Sequence, residues 1–175
     1  IEAGLRSFNR LMPEEINRIE TDKVSDILFC STNAAVNNLS KEGVKGSVHL
    51  IGDIMIDALK ASIESAEKSS NILKQLNLKK KEFMVATIHR AGNTDDKENL
   101  KNIVEAFVEC GKKIIFPVHP RTSKALKAYN LDEKLKNTNV VVVKPLSYTG
   151  MLVLEKNSRK ILTDSGGMQK EAYFF

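Results

Sequence analysis

Hydrophobic positions in this 175-residue chain fall into short apolar runs, separated by longer segments with helical spacing. Phe83 to Ile88 is almost continuously apolar, as expected of a parallel strand covered on both faces. After it, Leu100, Ile103, Val104 and Phe107 stand three or four residues apart, which predicts a helix over Asp95 to Glu109. The alternation continues along the chain. Strands are predicted at Ile1 to Leu5, Asp26 to Cys30, Ser47 to Ile51, Lys113 to Val118, Asn139 to Val143 and Lys160 to Thr163. A helix opens at Pro13, a residue favoured at the first helical position, with Glu14 and Glu15 in its first turn, and runs to Val24. Ser31-Thr32-Asn33 caps another that reaches Lys41 before Gly43. A long, weakly apolar helix is expected from Asp57 to Leu76, and further helices at Arg121 to Tyr129, Gly150 to Lys156 and from Met168 onward. Strand–helix alternation with short connections means an α/β protein with a doubly wound parallel sheet. The long helix reads as a crossover, with a domain boundary near Ile51, so that residues 1–51 and 52–175 belong to different domains.

In such sheets ligands meet the carboxyl ends of the strands. Four predicted strands end in residues with chemistry: His89-Arg90, His119, Ser147-Tyr148, and Asp164-Ser165-Gly166-Gly167. The last is the most informative. Two glycines before a helix let backbone N–H groups approach a ligand, and the helix N-terminus adds partial positive charge, which together make a phosphate seat. Ser165 adds a hydroxyl, and Glu171, about one turn into the helix, can accept from a sugar hydroxyl. Taken alone, the turn also fits an ordinary Asp-capped connection. Glu2, Arg6 and Glu14 form a second rim in the N-terminal part, although a Glu in a first turn is also what helix starts commonly carry. Two rims facing each other would enclose a cleft between domains. His49, within a strand, is read as structural. Neither GxGxxG nor GxxxxGK[ST] occurs, so nicotinamide and P-loop readings lack their fingerprints.

A net charge of +5 suits an anionic ligand. The run Lys79-Lys80-Lys81 has no interleaved aromatics and reads as a solvated turn, so nucleic acid is not the expected partner. No apolar run approaches the ~20 residues of a membrane span. Cys30 and Cys110 lie far apart without metal-ligand spacing, which leaves no expected metal and suggests a reducing cytoplasm. The chain opens on Ile in an expected strand and stops within an expected helix, so it reads as a fragment of a longer protein.

The segments IEAGLRS, PEEINR, TIHRAGN, PVHP and ILTDSGGMQKEA, in this order, resemble the non-hydrolysing UDP-N-acetylglucosamine 2-epimerases. That resemblance implies a GT-B pair of Rossmann-like domains in a chain about twice as long. Residues 1–51 would then end the N-terminal domain, and residues 52–175 would form an incomplete UDP-binding domain. It implies inversion at C2, from UDP-GlcNAc to UDP-ManNAc, by elimination of UDP to a 2-acetamidoglucal and re-addition, for cell-surface polysaccharide precursors. Glu2, Glu14 and His89 match catalytic positions, and a further acidic residue lies upstream in the family. His119, Ser165, Gly166, Gly167 and Glu171 match UDP-binding positions, with the glycine turn at the diphosphate and Glu171 at the ribose. The uracil falls near Ser147 to Met151, which brings in Tyr148 and Met151. Arg6 belongs to the substrate rim, and Arg90 matches a cleft arginine for diphosphate or a second nucleotide sugar. No cofactor is implied, and the full-length enzyme is expected to be a homodimer. Gly92 and Lys170 stand where acidic residues are common in the family. Alternatives are a GT-B glycosyltransferase, a hydrolysing epimerase, or a nucleotide-sugar-binding module or inactive fragment.

Overall fold

Pro13 has no N–H to lose and a fixed φ, so it can open helix α1 (Pro13–Val24) without cost, with Glu14 and Glu15 against the positive end of the dipole. The computed structural model describes residues 1–175, which divide into two compact units, Ile1–Ala58 and Leu59–Phe175. In the first unit α1 is followed by β1 (Ile27–Cys30), α2 (Asn33–Lys41, capped by the Thr32 hydroxyl) and β2 (Ser47–Leu50). The two strands pair in parallel, Ile27 opposite Ser47. Ala3, Leu28, Cys30, Ala35 and Leu39 make the core.

Residues 1–5 do not form the expected strand. Glu2 and Gly4 have φ of 56° and 76°, left-handed values that interrupt an extended backbone, and one strand-like bond survives, from Ala3 N to the Phe29 carbonyl at 3.0 Å. Gly4 is needed for space as well as for φ, because a Cβ there would lie 2.3 Å from the Ala35 carbonyl oxygen.

The helix expected from Asp57 to Leu76 is two helices. α3 (Ile54–Ser69) runs through the division between the units, and α4 (Ile72–Gln75) follows a break at Ser70-Asn71. There the Ser70 hydroxyl accepts from Ile72 N at 3.4 Å, the local competition with helix hydrogen bonding that Ser and Asn offer.

The second unit continues through β3 (Met84–Thr87), α5 (Ala91–Thr94), α6 (Lys97–Glu109), β4 (Ile114–Pro117) and α7 (Pro120–Ala128). It ends with α8 (Asp132–Leu135), β5 (Val140–Val143), α9 (Tyr148–Asn157), β6 (Lys160–Thr163) and α10 (Gly166–Phe174). α6 begins later than expected because Asp96 caps it, accepting from Asn99 N at 2.9 Å. The short α5 and α8 were not expected, since a single turn is too brief to show a period.

The four strands pair in parallel in the order β5-β4-β3-β6. Met84, Ala86, Ile88, Ile114 and Phe116 pack with Leu100, Val104 and Leu126 on one face. Val85 and Ile115 pack with Leu59, Leu152 and Met168 on the other. The chain therefore steps outward from β3 to β5, crosses by α9 to the opposite face, and lays β6 on the other side of β3. The order reverses between β3 and β6, and their carboxyl ends open the crevice where such sheets take ligands.

Candidate functional site

Asp164, just past β6, ties the two sides of this crevice together. Its carboxylate accepts from His89 N at 3.0 and 3.1 Å, from Arg90 N at 2.9 Å and from the Asn93 side-chain amide at 3.0 Å, and it meets His89 Nδ1 at 3.0 Å. Burial pushes its carboxyl up, but the hydrogen bonds from Arg90, Asn93 and His89 outweigh that and hold it below the ordinary range. From sequence, Asp164 belongs to the glycine-rich turn, which fits either a phosphate seat or an ordinary Asp-capped connection. The TDSGG motif flagged the turn, but nothing local pointed to partners more than 70 residues upstream.

The two histidines present opposite faces of the same chemistry. A carboxylate only accepts, so the contact with Asp164 puts a proton on His89 Nδ1, and neutral His89 offers a lone pair at Nε2. His119 caps α7, and its Nδ1 accepts from Arg121 N at 3.2 Å, so its proton is on Nε2 and that nitrogen is a donor. The rings lie 6.1 Å apart. The Thr122 hydroxyl donates to the Ile88 carbonyl and anchors α7 to the end of β3.

Both rings line a cavity of about 270 Å³ with Tyr148 and Met151 of α9, Ser165 at the start of α10 and Glu171 within it. These six residues were named from sequence, and the structure brings them together. Ser165 caps α10, its hydroxyl accepting from Met168 N at 3.4 Å. The N–H groups of Gly166 and Gly167, in the first turn of α10, are those that a helix leaves without an internal partner. Neither glycine has a positive φ, so the sharp glycine turn expected here is an ordinary helix entry. What glycine supplies is room: a Cβ on Gly166 would meet nothing nearer than Arg90 Nη2 at 3.9 Å. Arg90 is exposed beside this turn.

Glu155, on α9, escaped the sequence reading. It is 2% exposed, lines the same cavity, and its Oε2 has no hydrogen-bond partner. Burial, then the charge of Glu171, pushes its carboxyl up to about 8. Burial and Glu171 also raise the Tyr148 phenol. The available signal was an acid directly after the apolar run Met151 to Leu154.

In the first unit Glu2 is exposed on its left-handed turn, and Glu14 is exposed in the first turn of α1. Arg6, expected on the substrate rim, is instead a structural tie. Its guanidinium donates to both Glu42 oxygens at 2.8 and 2.7 Å, meets Asp22 at 2.8 Å and donates to the Leu5 carbonyl, and its side chain is 1% exposed. The Glu42 hydrogen bond raises its pKa further. In the first turn of α1 it is Glu15, rather than Glu14, that is buried, accepting from Ser7 N and Phe8 N at 2.9 Å. The Ser7 N–H holds its carboxyl below the usual range. His49 is exposed on β2, beside Ser47 at 2.9 Å.

A family model described as UDP-N-acetylglucosamine 2-epimerase matches residues 1–175. A Methanococcus maripaludis protein named UDP-N-acetylglucosamine 2-epimerase homolog is 54% identical over 99% of this chain and 49% of its own length. The UDP-2,3-diacetamido-2,3-dideoxy-D-glucuronate 2-epimerase of Pseudomonas aeruginosa is 45% identical over 100% of this chain and 48% of its own. The crystal structure of Methanocaldococcus jannaschii UDP-GlcNAc 2-epimerase in complex with UDP-GlcNAc and UDP superposes with a TM-score of 0.86 at 46% identity, covering 98% of this chain and 49% of that one. The chain spans about half the length of the curated relatives it matches. Its fold is α/β and GT-B-like. No helix is long and apolar enough to cross a membrane.

Proposed function

The chain belongs to the UDP-N-acetylglucosamine 2-epimerase family, and on that premise we propose that it carries the nucleotide seat and part of the acid–base set of an enzyme that interconverts UDP-GlcNAc and UDP-ManNAc. The observation that carries this reading is the cavity at the reversal of strand order, bounded by two histidines of opposite tautomer and opening beside the bare first turn of α10. A diphosphate suits that turn, with the Gly166 and Gly167 N–H groups, the Ser165 hydroxyl, the Arg90 guanidinium and the His119 Nε2 proton as its donors. Glu171 accepts from the ribose hydroxyls, and the uracil lies near Tyr148 and Met151.

C2 of the sugar is not next to a carbonyl, so its proton is not acidic enough for direct removal. Elimination avoids that barrier: the C1–O bond breaks with its electron pair leaving on the diphosphate, and a base takes the C2 proton, which forms the C1=C2 bond of a 2-acetamidoglucal. UDP then adds back at C1 while a proton is delivered to C2 from the opposite face. Donors around the diphosphate stabilise the departing charge. His89, with a lone pair at Nε2 and a carboxylate behind Nδ1, suits proton transfer, as do Glu2 and Glu14 of the first unit. In this reading residues 1–51 close an N-terminal Rossmann-like domain and residues 52–175 form part of a UDP-binding one. The enzyme is a cytoplasmic homodimer that supplies polysaccharide precursors, a compartment that suits its two free cysteines.

The P. aeruginosa relative keeps a second sugar in view, one with an acetamido group at C3 and a carboxylate beyond C5. Both UDP-sugars should be offered to the whole protein in D₂O and followed by proton NMR. The reading expects an epimerised UDP-sugar with deuterium at C2. Free N-acetylmannosamine with UDP would indicate hydrolysis, and an unchanged C2 proton with either sugar would refute the epimerase reading. In the same assay His89→Ala should lower kcat by about 10²-fold or more while UDP affinity stays within a few-fold.

A further inference from the structure

Glu155 is costly as an ordinary core residue. A carboxylate that is 2% exposed, with one oxygen lacking any donor, loses its hydration without compensation. The fold nevertheless places it on the wall of the cavity that Glu171 also lines, where the two acids feel each other's charge. Two facing carboxylates repel unless a proton lies between them, and the neutral acid of such a pair becomes a hydrogen-bond donor to its neighbour.

We propose that Glu155 is a positioning residue that keeps a proton and donates it in a hydrogen bond to Glu171, so that the Glu171 carboxylate is held in place to accept from the vicinal diol of a ribose. This rests on the reading of the cavity as a uridine diphosphate site. Tyr148 lines the same cavity, and burial together with the Glu171 charge raises its phenol. The upward shift of the Glu155 carboxyl is what a protonated partner requires at neutral pH. The other ionisable groups on the cavity wall are His89 and His119. The sheet and α3 meet α9 through Val85, Ile115 and Leu59, and the Glu67–Lys156 ion pair lies nearby at 2.8 Å, exposed. Burial does most to keep Glu155 protonated, and Glu171 is the neighbouring charge that adds to it.

The signs follow from this arrangement. Below pH of about 8 Glu155 is neutral and the pair is intact; as pH rises through that value, two negative carboxylates face one another and UDP binding weakens. Glu155→Gln is close to isosteric and keeps an N–H donor, so it should bind UDP like the wild type at pH 7 and lose the decline above pH 8. Glu155→Leu has no donor and should weaken UDP by about tenfold, while 2′,3′-dideoxy-UDP, which has no diol to present, should change by less than about twofold.

The experiment is calorimetric titration of UDP and 2′,3′-dideoxy-UDP into the wild type and both variants from pH 6.5 to 9, with circular dichroism as the check on folding. Both variants retain the two histidines, so a histidine titration would appear in all three proteins. Equal UDP affinity and equal pH profiles across the three would overturn the proposal. So would equal weakening of UDP and 2′,3′-dideoxy-UDP by Glu155→Leu, which would mean a general disturbance of the cavity. Failure of the wild type itself to bind UDP would instead remove the uridine reading beneath the proposal, and that outcome is visible before any substitution is compared.

Discussion

Gly166 is a residue that the fold would allow to change and a ligand would not. Its φ is ordinary for any residue and its Cβ position is open, so Gly166→Val should fold normally. The added side chain would occupy the space of a bound diphosphate and should weaken UDP by more than tenfold, or at least ~1.4 kcal/mol. Unchanged affinity by calorimetry, with the fold intact, would rule out this seat. Asp164 makes the complementary case, a side chain whose charge the fold uses. An unfolded aspartate titrates near ~3.9. The folded value of Asp164 lies below that, so its contribution is full above the unfolded value and is lost as pH falls through the folded one. The stability gap between wild type and Asp164→Asn, read as urea midpoints, should therefore be widest near pH 7 and narrow toward pH 3. A gap that stays constant would mean that the charge is not what the surrounding N–H groups hold. Residues that end strands were legible in the sequence, because strand ends are where such folds place chemistry: His89, His119 and Ser165 are examples. Arg6 was misplaced because an arginine near a glutamate motif looks the same whether it serves a substrate or a salt bridge. Its partner Glu42 lies 36 positions away.

At the scale of elements, local chemistry did most of the prediction. α1 spans Pro13–Val24 as expected, since Pro13 and the acids behind it mark its start. The failures came where a side chain competes with the backbone, as at Ser70, or where an element is shorter than the period needed to see it, as at α8. The lost strand at residues 1–5 has a tertiary cause. That segment is held by α1, with Asp22 accepting from Gly4 N at 2.9 Å and meeting Arg6, while Asn38 of α2 donates to the Gly4 carbonyl at 2.9 Å. Asp22→Ala would strand the Gly4 N–H and half-release Arg6, and should cost about 1–3 kcal/mol in chemical denaturation. An unchanged denaturation midpoint would mean that α1 does not hold this segment. If Glu2 on this segment takes part in the chemistry, the same substitution should lower kcat in the whole protein more than it changes UDP affinity.

At the scale of the whole molecule, alternation of period revealed the α/β class, but strand order was not legible, because pairing depends on contacts between residues far apart in the chain. The observed order β5-β4-β3-β6 is what makes the ends of β3 and β6 neighbours. If this crevice holds UDP, hydrogen exchange should slow at Thr87 to Thr94, Pro145 to Met151 and Asp164 to Gln169 when UDP is added, and unaltered exchange in all three would place the nucleotide elsewhere. The order of the strands also sets a schedule for synthesis. β3 leaves the ribosome well before β6, the strand that pairs with it on the side away from β4, at ~5–20 residues per second. Until Lys160 to Thr163 has emerged, β3 is an open edge with unpaired N–H and C=O groups, a surface that invites pairing with other chains. The His89 loop also lacks Asp164, 75 positions downstream. A nascent chain halted before β6 should therefore be sticky, and one further short stretch of translation should supply both the missing edge and the missing acceptor.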